Sequence, residues 1–283
     1  MIADKDTNFI YFSDLLRTKR EFKSTCSSIT EILDRFGIKY DFLIGTKDIW
    51  ARDYMPIQID SKKYIEYRFD PDYLQAKKYR KIKSYPDIVC SENNITTYKS
   101  DLIIDGGNVI KSNSSVIMAD KVIFENLENY TKDTIIGKLK ELFEIDKIAF
   151  IPWDKENDEY GHADGMVRFT DDKSVIIQSY FESYEAKYKD QLYNALDKIG
   201  LTWEKLEFEV EIEDERNWAY MNFLQTKDLI LLPKLGIAED EQAFNQIENF
   251  YPAYKGLIAQ VEMNEIVNFG GALNCISWTI KHN

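Results

Sequence analysis

Two histidines and three cysteines are the scarce chemistry-bearing residues of this chain. His282 lies at the far end of the sequence, so any histidine chemistry falls to His162, set in Gly161-His162-Ala163-Asp164-Gly165. Of Cys26, Cys90 and Cys275, only the last follows a glycine pair, in Gly270-Gly271-Ala272-Leu273-Asn274-Cys275. A thiol beside one imidazole makes a nucleophile with an acid/base partner. Two carboxylates complete the set: Asp53, in Trp50-Ala51-Arg52-Asp53, and Asp164. Their charge opposes a thiolate, which suits neither ester nor amide hydrolysis. It does suit a substrate that is itself a cation with several N–H donors. A guanidinium presents a planar fork that carboxylates match bidentately, and once bound it offsets their effect on the thiol. The electrophilic carbon then sits between Asp53 and Asp164, with the sulfur of Cys275 above it.

Each of these residues also has an ordinary use. A lone cysteine among apolar neighbours is usually a small buried hydrophobe, the reading kept for Cys26 and Cys90. His162 can pack or cap, Asp53 can pair with Arg52, and Asp164 can serve a turn. Asp105-Gly106-Gly107 reads as a tight turn needing positive φ, Trp50 as plain core, and Arg168 as an ion-pair partner. No CxxC spacing is present, so neither a zinc site, another metal nor a disulfide framework is expected.

The elements that must position these groups show a repeat. Two-stranded patterns around polar turns start at Pro56, Asn108, Met166, Met221 and Ala272, separated by 52, 58, 55 and 51 residues. β-branched and aromatic alternation around Asp, Ser, Asn or Lys turns marks hairpins. Helical spacing follows over Ser28–Phe36, Thr131–Phe143, Glu182–Ile199 and Glu239–Phe250. Further strands are read at Lys39–Ile44, Lys147–Ile151, Glu207–Ile212 and Gly256–Val261. Polar, Tyr- and Lys-rich Asp70–Ser100 is read as a solvated loop, with a substrate lid as the alternative. Hairpin, helix and strand thus recur about five times, and such units bury their faces by stacking or closing a ring. In a ring, the chemistry-bearing clusters, which precede or open each hairpin, meet at one end of the axis. With no Pro-, Gly- or Ser-rich linker, one domain over residues 1–283 is expected.

The bulk composition agrees with a soluble globular protein, and the repeat of hairpin, helix and strand makes its class α/β. The 283 residues carry a formal charge of −13, with 44% hydrophobic and 30% charged residues. That balance provides no basic surface for nucleic acid. No apolar run reaches the ~20 residues of a membrane span, and the first residues lack a signal-peptide pattern. A cytoplasmic setting is the expectation.

Taken together, Trp50-Ala51-Arg52-Asp53-Tyr54-Met55-Pro56, Asp105-Gly106-Gly107-Asn108, Gly161-His162-Ala163-Asp164-Gly165-Met166-Val167-Arg168-Phe169, Tyr220-Met221-Asn222-Phe223 and Gly270-to-Cys275 resemble the agmatine deiminase and bacterial peptidylarginine deiminase-like family of guanidino-group-modifying enzymes. The resemblance spans about residues 45–280. It implies a five-bladed α/β propeller, the pentein fold, and hydrolytic loss of ammonia from a guanidine without metal or organic cofactor. It also implies Cys275 as nucleophile, His162 as general acid/base, Asp53 and Asp164 as guanidinium ligands, and Trp50 lining the slot. Asn222 falls at a position near the substrate, and Asp158, four residues before His162, where several agmatine deiminases carry an acid. Met55 stands where a Gly is usual, and Asn274 where His is frequent. The expected substrate is a small guanidino cation, agmatine giving N-carbamoylputrescine. Arginine or a C-terminal peptidylarginine giving citrulline is the alternative; Arg68, Arg80 and Arg216 are the candidates to meet a substrate carboxylate. Amidino transfer and a non-catalytic binding propeller complete the range, and oligomeric state is left open.

Overall fold

The structure, a computed structural model, describes residues 1–156 and 158–282. Five three-stranded sheets are built on one plan. In each, a middle strand pairs antiparallel with one neighbour, its hairpin mate in four of the five, and parallel with the strand that follows a helix. The first sheet holds β1 (Phe9–Ser13) and β2 (Lys39–Leu43), joined by a helix over Lys23–Phe36. The second has β3 (Ile57–Gln58), β4 (Tyr64–Arg68) and β5 (Tyr98–Ile103). The third has β6 (Ile110–Lys111), β7 (Ser115–Ala119) and β8 (Lys147–Ile151). The fourth has β9 (Val167–Phe169), β10 (Ser174–Gln178) and β11 (Thr202–Leu206). The fifth has β12 (Leu224–Thr226), β13 (Leu229–Lys234) and β14 (Ile258–Glu262). A last strand, β15 (Ser277–Ile280), returns to pair with β1 and completes the first sheet. This is the five-unit α/β propeller that the repeat predicts.

Burial explains the strand composition. All five residues of β7 are buried, as are Leu229–Pro233 of β13. A sheet covered on both faces reads as a continuous apolar run rather than an alternation. The connecting helices bury one stripe: Ile135, Leu139 and Phe143 on Lys132–Phe143, and Ala243 and Ile247 on Glu239–Phe250. Thr131 caps the first by accepting from the N–H of Thr134 at 3.3 Å. Gly37, at φ 69°, ends Lys23–Phe36, a left-handed stop that suits glycine. No helix among the described residues is long and apolar enough to cross a membrane.

Four elements differ from the sequence reading. The hairpin expected from Ala272 is half a hairpin: residues 272–276 form turns, and only Ser277–Ile280 is strand, paired with β1 from the other end of the chain. The strand expected at Glu207–Ile212 lies earlier, at Thr202–Leu206, in register with Ser174–Gln178. The N–H groups of Glu207 and Glu209 donate instead to the side chains of Gln246 and Gln242. The helix expected over Glu182–Ile199 begins at Ala186, behind a 3-10 turn over Ser179–Ser183. Finally, Asp70–Ser100 is not one loop. It holds 3-10 turns at Asp72–Leu74 and Lys77–Lys81, a helix at Pro86–Glu92 and the start of β5.

Candidate active site

Just ahead of the hairpins, the chain makes a short helical turn in unit after unit: Ala51–Tyr54, Gly106–Asn108, Ala163–Gly165 and Asn217–Tyr220. These turns converge with the Ala272–Cys275 turn, and their cross-bonds fix the geometry. The N–H of Arg52 donates to the carbonyl of Cys275 at 3.0 Å, and that of Asn274 to the carbonyl of Asn222 at 2.9 Å. The N–H of Cys275 donates to Asn222 Oδ1 at 3.1 Å. Asn274 Nδ2 donates to Asp164 Oδ2 at 2.7 Å, and the Cys275 thiol reaches that same oxygen at 3.5 Å. Three units of the ring thereby hold the thiol in one place.

His162 stands opposite. Its Nε2 is 2.9 Å from Asp105 Oδ2, and its Nδ1 is 3.9 Å from Asp53 Oδ1. Asp105 Oδ1 accepts from the N–H of Gly107 at 3.2 Å. Burial alone disfavours the imidazolium, but the Asp105 and Asp53 carboxylates outweigh it and hold His162 well above the usual histidine range. Asp53 moves the other way for a carboxylate: burial first, then the charge of Asp105, pushes it well up. Burial, reinforced by Asp164 and Asp53, likewise pushes the Cys275 thiol well up. Asp53 Oδ1 has no hydrogen-bond partner among the described residues. A cation placed here would meet several buried carboxylates at once.

A slot of about 240 Å³ opens onto these groups. Asp53, His162 and Cys275 form its floor; Trp50, Tyr73, Tyr79, Tyr160 and Phe269 are among its aromatic walls. Asp48 and Glu159 bring carboxylates to it, and its described lining includes no Lys or Arg. Asp48 accepts from the N–H of Trp50 at 2.8 Å and from the hydroxyl of Ser84 at 2.7 Å. Burial pushes it up to about 6, against the pull of those bonds.

The structure thus brings together Asp53, His162, Asp164 and Cys275, with Trp50 against Gly271. Asn222 holds the backbone of Cys275 from behind and does not line the slot. Asp158 lies outside the slot as well: its two oxygens accept from the N–H groups of Tyr160 and His162, at 2.9 and 3.1 Å, which shapes the loop before the imidazole. Arg68 and Arg216 are paired with Asp70 and Asp214, and neither they nor Arg80 line the slot. Cys26 and Cys90 are buried elsewhere, their thiols raised by desolvation. Arg168 is an ion-pair partner, of Asp4 at 3.5 Å.

Asp105 is the residue that sequence reasoning assigned to a turn alone. Its repeat phase was the available signal, because it opens the second unit just as Asp53 precedes the first. The glycines after it owe nothing to positive φ. A Cβ on Gly106 would lie 2.0 Å from the carbonyl oxygen of Arg52, and one on Gly107 2.6 Å from His162 Nδ1 and 2.8 Å from Asp53 Oδ1. Close approach is what demands them. Asp53, Asp105 and His162 also place one ligand atom each within 4.8 Å of one another, the geometry of a possible metal set. Both imidazole nitrogens face carboxylates, an arrangement that can also hold a proton.

Comparison with known proteins gives the same picture. A family model described as Porphyromonas-type peptidyl-arginine deiminase matches residues 15–280. A protein of Mycoplasma capricolum subsp. capricolum named "Putative agmatine deiminase" is 25% identical over 221 residues, covering 67% of this chain and 60% of its own length. One of the same name from Streptococcus mutans is 25% identical over 253 residues, with coverages of 75% and 63%. The chain thus spans about three fifths of the length of these relatives. Among solved structures, the C. jejuni agmatine deiminase superposes with a TM-score of 0.77 at 17% identity, covering 99% of this chain and 96% of that one. DDAH from Pseudomonas aeruginosa gives 0.56 at 9% identity, with coverages of 97% and 99%. At these identities the structural likeness speaks for the fold.

Proposed function

We propose that this chain, which belongs to the Porphyromonas-type peptidyl-arginine deiminase family, is a guanidine iminohydrolase that converts agmatine to N-carbamoylputrescine and ammonia. One observation carries the choice of substrate. The slot leading to Cys275 carries Asp48 and Glu159 and, among its described lining, no Lys or Arg. A substrate carboxylate would want a dedicated cation. A tail ending in an ammonium wants what is there: aromatic walls and an acid. The "Putative agmatine deiminase" relatives support the same reading.

The guanidinium enters between Asp53 and Asp164, offsets their charge, and lowers the cost of ionising Cys275. The thiol passes its proton to solvent as the cation binds, and the thiolate attacks the guanidinium carbon, forming a C–S bond and a tetrahedral centre as the C=N π pair moves onto nitrogen. His162, whose Nε2 faces Asp105, donates from Nδ1 to the departing nitrogen. The C–N bond breaks, ammonia leaves, and an S-alkylthiouronium remains. The imidazole, now a base, takes a proton from water; hydroxide adds to the same carbon, the C–S bond breaks, and the ureido product leaves. Asp53 and Asp164 contribute mainly by holding the carbon in line with the sulfur.

The test is an ammonia and ureido-product assay on agmatine, arginine and a C-terminal-arginine peptide, with Cys275→Ala and Asp48→Asn alongside. Agmatine turns over, Cys275→Ala is inactive, and Asp48→Asn raises the agmatine KM by about tenfold or more, the effect of losing a charged partner. Arginine turned over as efficiently as agmatine would overturn the substrate. Inactivity on all three, with a Cys275 inert to a haloacetamidine, would overturn the hydrolase.

A further inference from the structure

The roof of the slot comes from the stretch that reads as solvated loop, and at Tyr73 it reaches the carboxylate that faces His162. Tyr73, in the 3-10 turn Asp72–Leu74, donates its hydroxyl to Asp105 Oδ2, the same oxygen that faces His162 Nε2 at 2.9 Å. Its ring meets the rings of His162 and Tyr160 edge-on, with centroids 6.3 and 5.1 Å apart. The neighbouring residue is clasped from below. Asp72 pairs with Lys121 Nζ at 2.7 Å, and its N–H donates to Glu125 Oε1 at 3.1 Å.

Lys121 is 2% exposed and holds both sides of the slot. Besides Asp72, its ammonium donates to the carbonyls of Glu159 and Tyr160, at 2.8 and 3.0 Å, directly before Gly161-His162. It also lies 4.8 Å from the ring centres of Tyr73 and of Trp153. Gly161 sits at φ 66°, and a Cβ there would come within 2.4 Å of Lys121 Cδ. Roof and histidine loop are thus fastened to one buried cation.

We propose that Tyr73 is a positioning residue for His162, acting through Asp105, so that the seating of the roof sets the strength of the acid/base. A hydroxyl bonded to Asp105 draws part of that carboxylate's charge away from the imidazole. Burial, with the charges of Asp105 and Asp53, keeps the Tyr73 hydroxyl protonated and hence a donor. The other groups facing His162 are Asp53, Asp164, Asp158, Tyr160 and, across the slot, Cys275. Among the described residues, Asp105 is the carboxylate facing His162 that accepts a hydrogen bond from the roof. The role assigned to His162 in turnover rests on the function proposed above; its coupling to Tyr73 does not.

The chain has only His162 and His282, so ring-labelled histidine gives two signals in a magnetic-resonance titration, and His282→Gln assigns them. With Tyr73→Phe, the His162 midpoint rises by about half a unit to one unit, the effect of one lost hydrogen bond to its counter-ion, while His282 stays put. Asp72→Asn, which loosens the clasp and leaves the hydroxyl in place, moves it the same way by less. On agmatine, Tyr73→Phe carries the same upward shift into the pH profile of kcat. Leu74→Ala, from the same roof, raises KM and leaves the profile where it was. A His162 midpoint unchanged in both Tyr73→Phe and Asp72→Asn would overturn the proposal, whether or not the enzyme turns agmatine over. Turnover failing on every guanidine while the midpoint moves would overturn the function and leave the coupling standing.

Discussion

At the scale of single residues, the site is arranged for a substrate it has yet to meet. Cys275 and Asp53 are both pushed up, chiefly by burial and then by neighbouring carboxylates, while His162 is pushed up by those same carboxylates against burial. In the function proposed above, the thiol is consequently a poor nucleophile until the guanidinium binds beside it. A neutral haloacetamide therefore alkylates Cys275 slowly at pH 7, faster only as the solution becomes alkaline. A haloacetamidine of the same reactivity carries its own cation and reacts about a hundredfold faster, a gain that Asp53→Asn and Asp164→Asn each diminish. Mass spectrometry of the modified peptide against time gives both rates; equal rates for the two probes would count against substrate activation. Asn274 belongs to the same logic. It stands where the family pattern often has His, and its amide fixes Asp164 Oδ2 at 2.7 Å, so the acceptor keeps its aim without another titratable ring.

At the scale of elements, the short helical turns ahead of each hairpin do the positioning, and their glycines are set by clearance. Gly107→Ala puts a methyl group 2.6 Å from His162 Nδ1 and 2.8 Å from Asp53 Oδ1, so both side chains must shift. We expect kcat/KM to fall by about a hundredfold or more, the cost of moving catalytic groups by an ångström. Thermal stability should change little, because the fault lies in the slot and not in the packed helix–sheet core. A melting curve beside the kinetics separates the two; a large loss of stability would make Gly107 a folding residue instead. This is also where the sequence stops being legible. Hairpins at Pro56, Asn108, Met166 and Met221 show because each pairs with itself, within a few residues. β15 pairs with β1, more than 260 residues away, and local alternation cannot reveal a partner at that distance. The Asp70–Ser100 roof was illegible for a related reason. Its polar side chains read as solvated until Lys121, Asp105 and Asp48 are placed beneath Asp72, Tyr73 and Ser84. Asp53, Asp164, His162 and Cys275 could be read as neighbours because residue type and repeat phase agreed, and the side chains do lie together; Asp105 had the phase, but its glycines suggested a turn.

At the scale of the whole molecule, closing five units into a ring brings charges together at the axis, away from the slot as well as within it. Asp4 faces Lys111 at 2.5 Å, Arg168 at 3.5 Å and Arg52 at 3.8 Å, each from a different unit. Burial pushes its carboxyl up, but the three cations outweigh that and hold it far below the usual carboxylate range. Arg52 links this cluster to the site, since its N–H supports the carbonyl of Cys275. Removing the one anion leaves three neighbouring buried cations unpaired, so Asp4→Asn should destabilise the fold by about 3 kcal/mol or more, roughly 5–10 °C in melting temperature. The pH dependence follows from the direction of the shift. A carboxyl lowered on folding stabilises the folded state fully above its unfolded value near 3.8, and loses that contribution only as the pH falls toward its much lower folded value. The gap between wild type and Asp4→Asn is therefore constant from pH 5 to 8 and narrows only below about pH 4. Denaturant unfolding at a series of pH values measures it. A gap that closed between pH 5 and 7 would mean that the ring is held at its axis by some group other than Asp4.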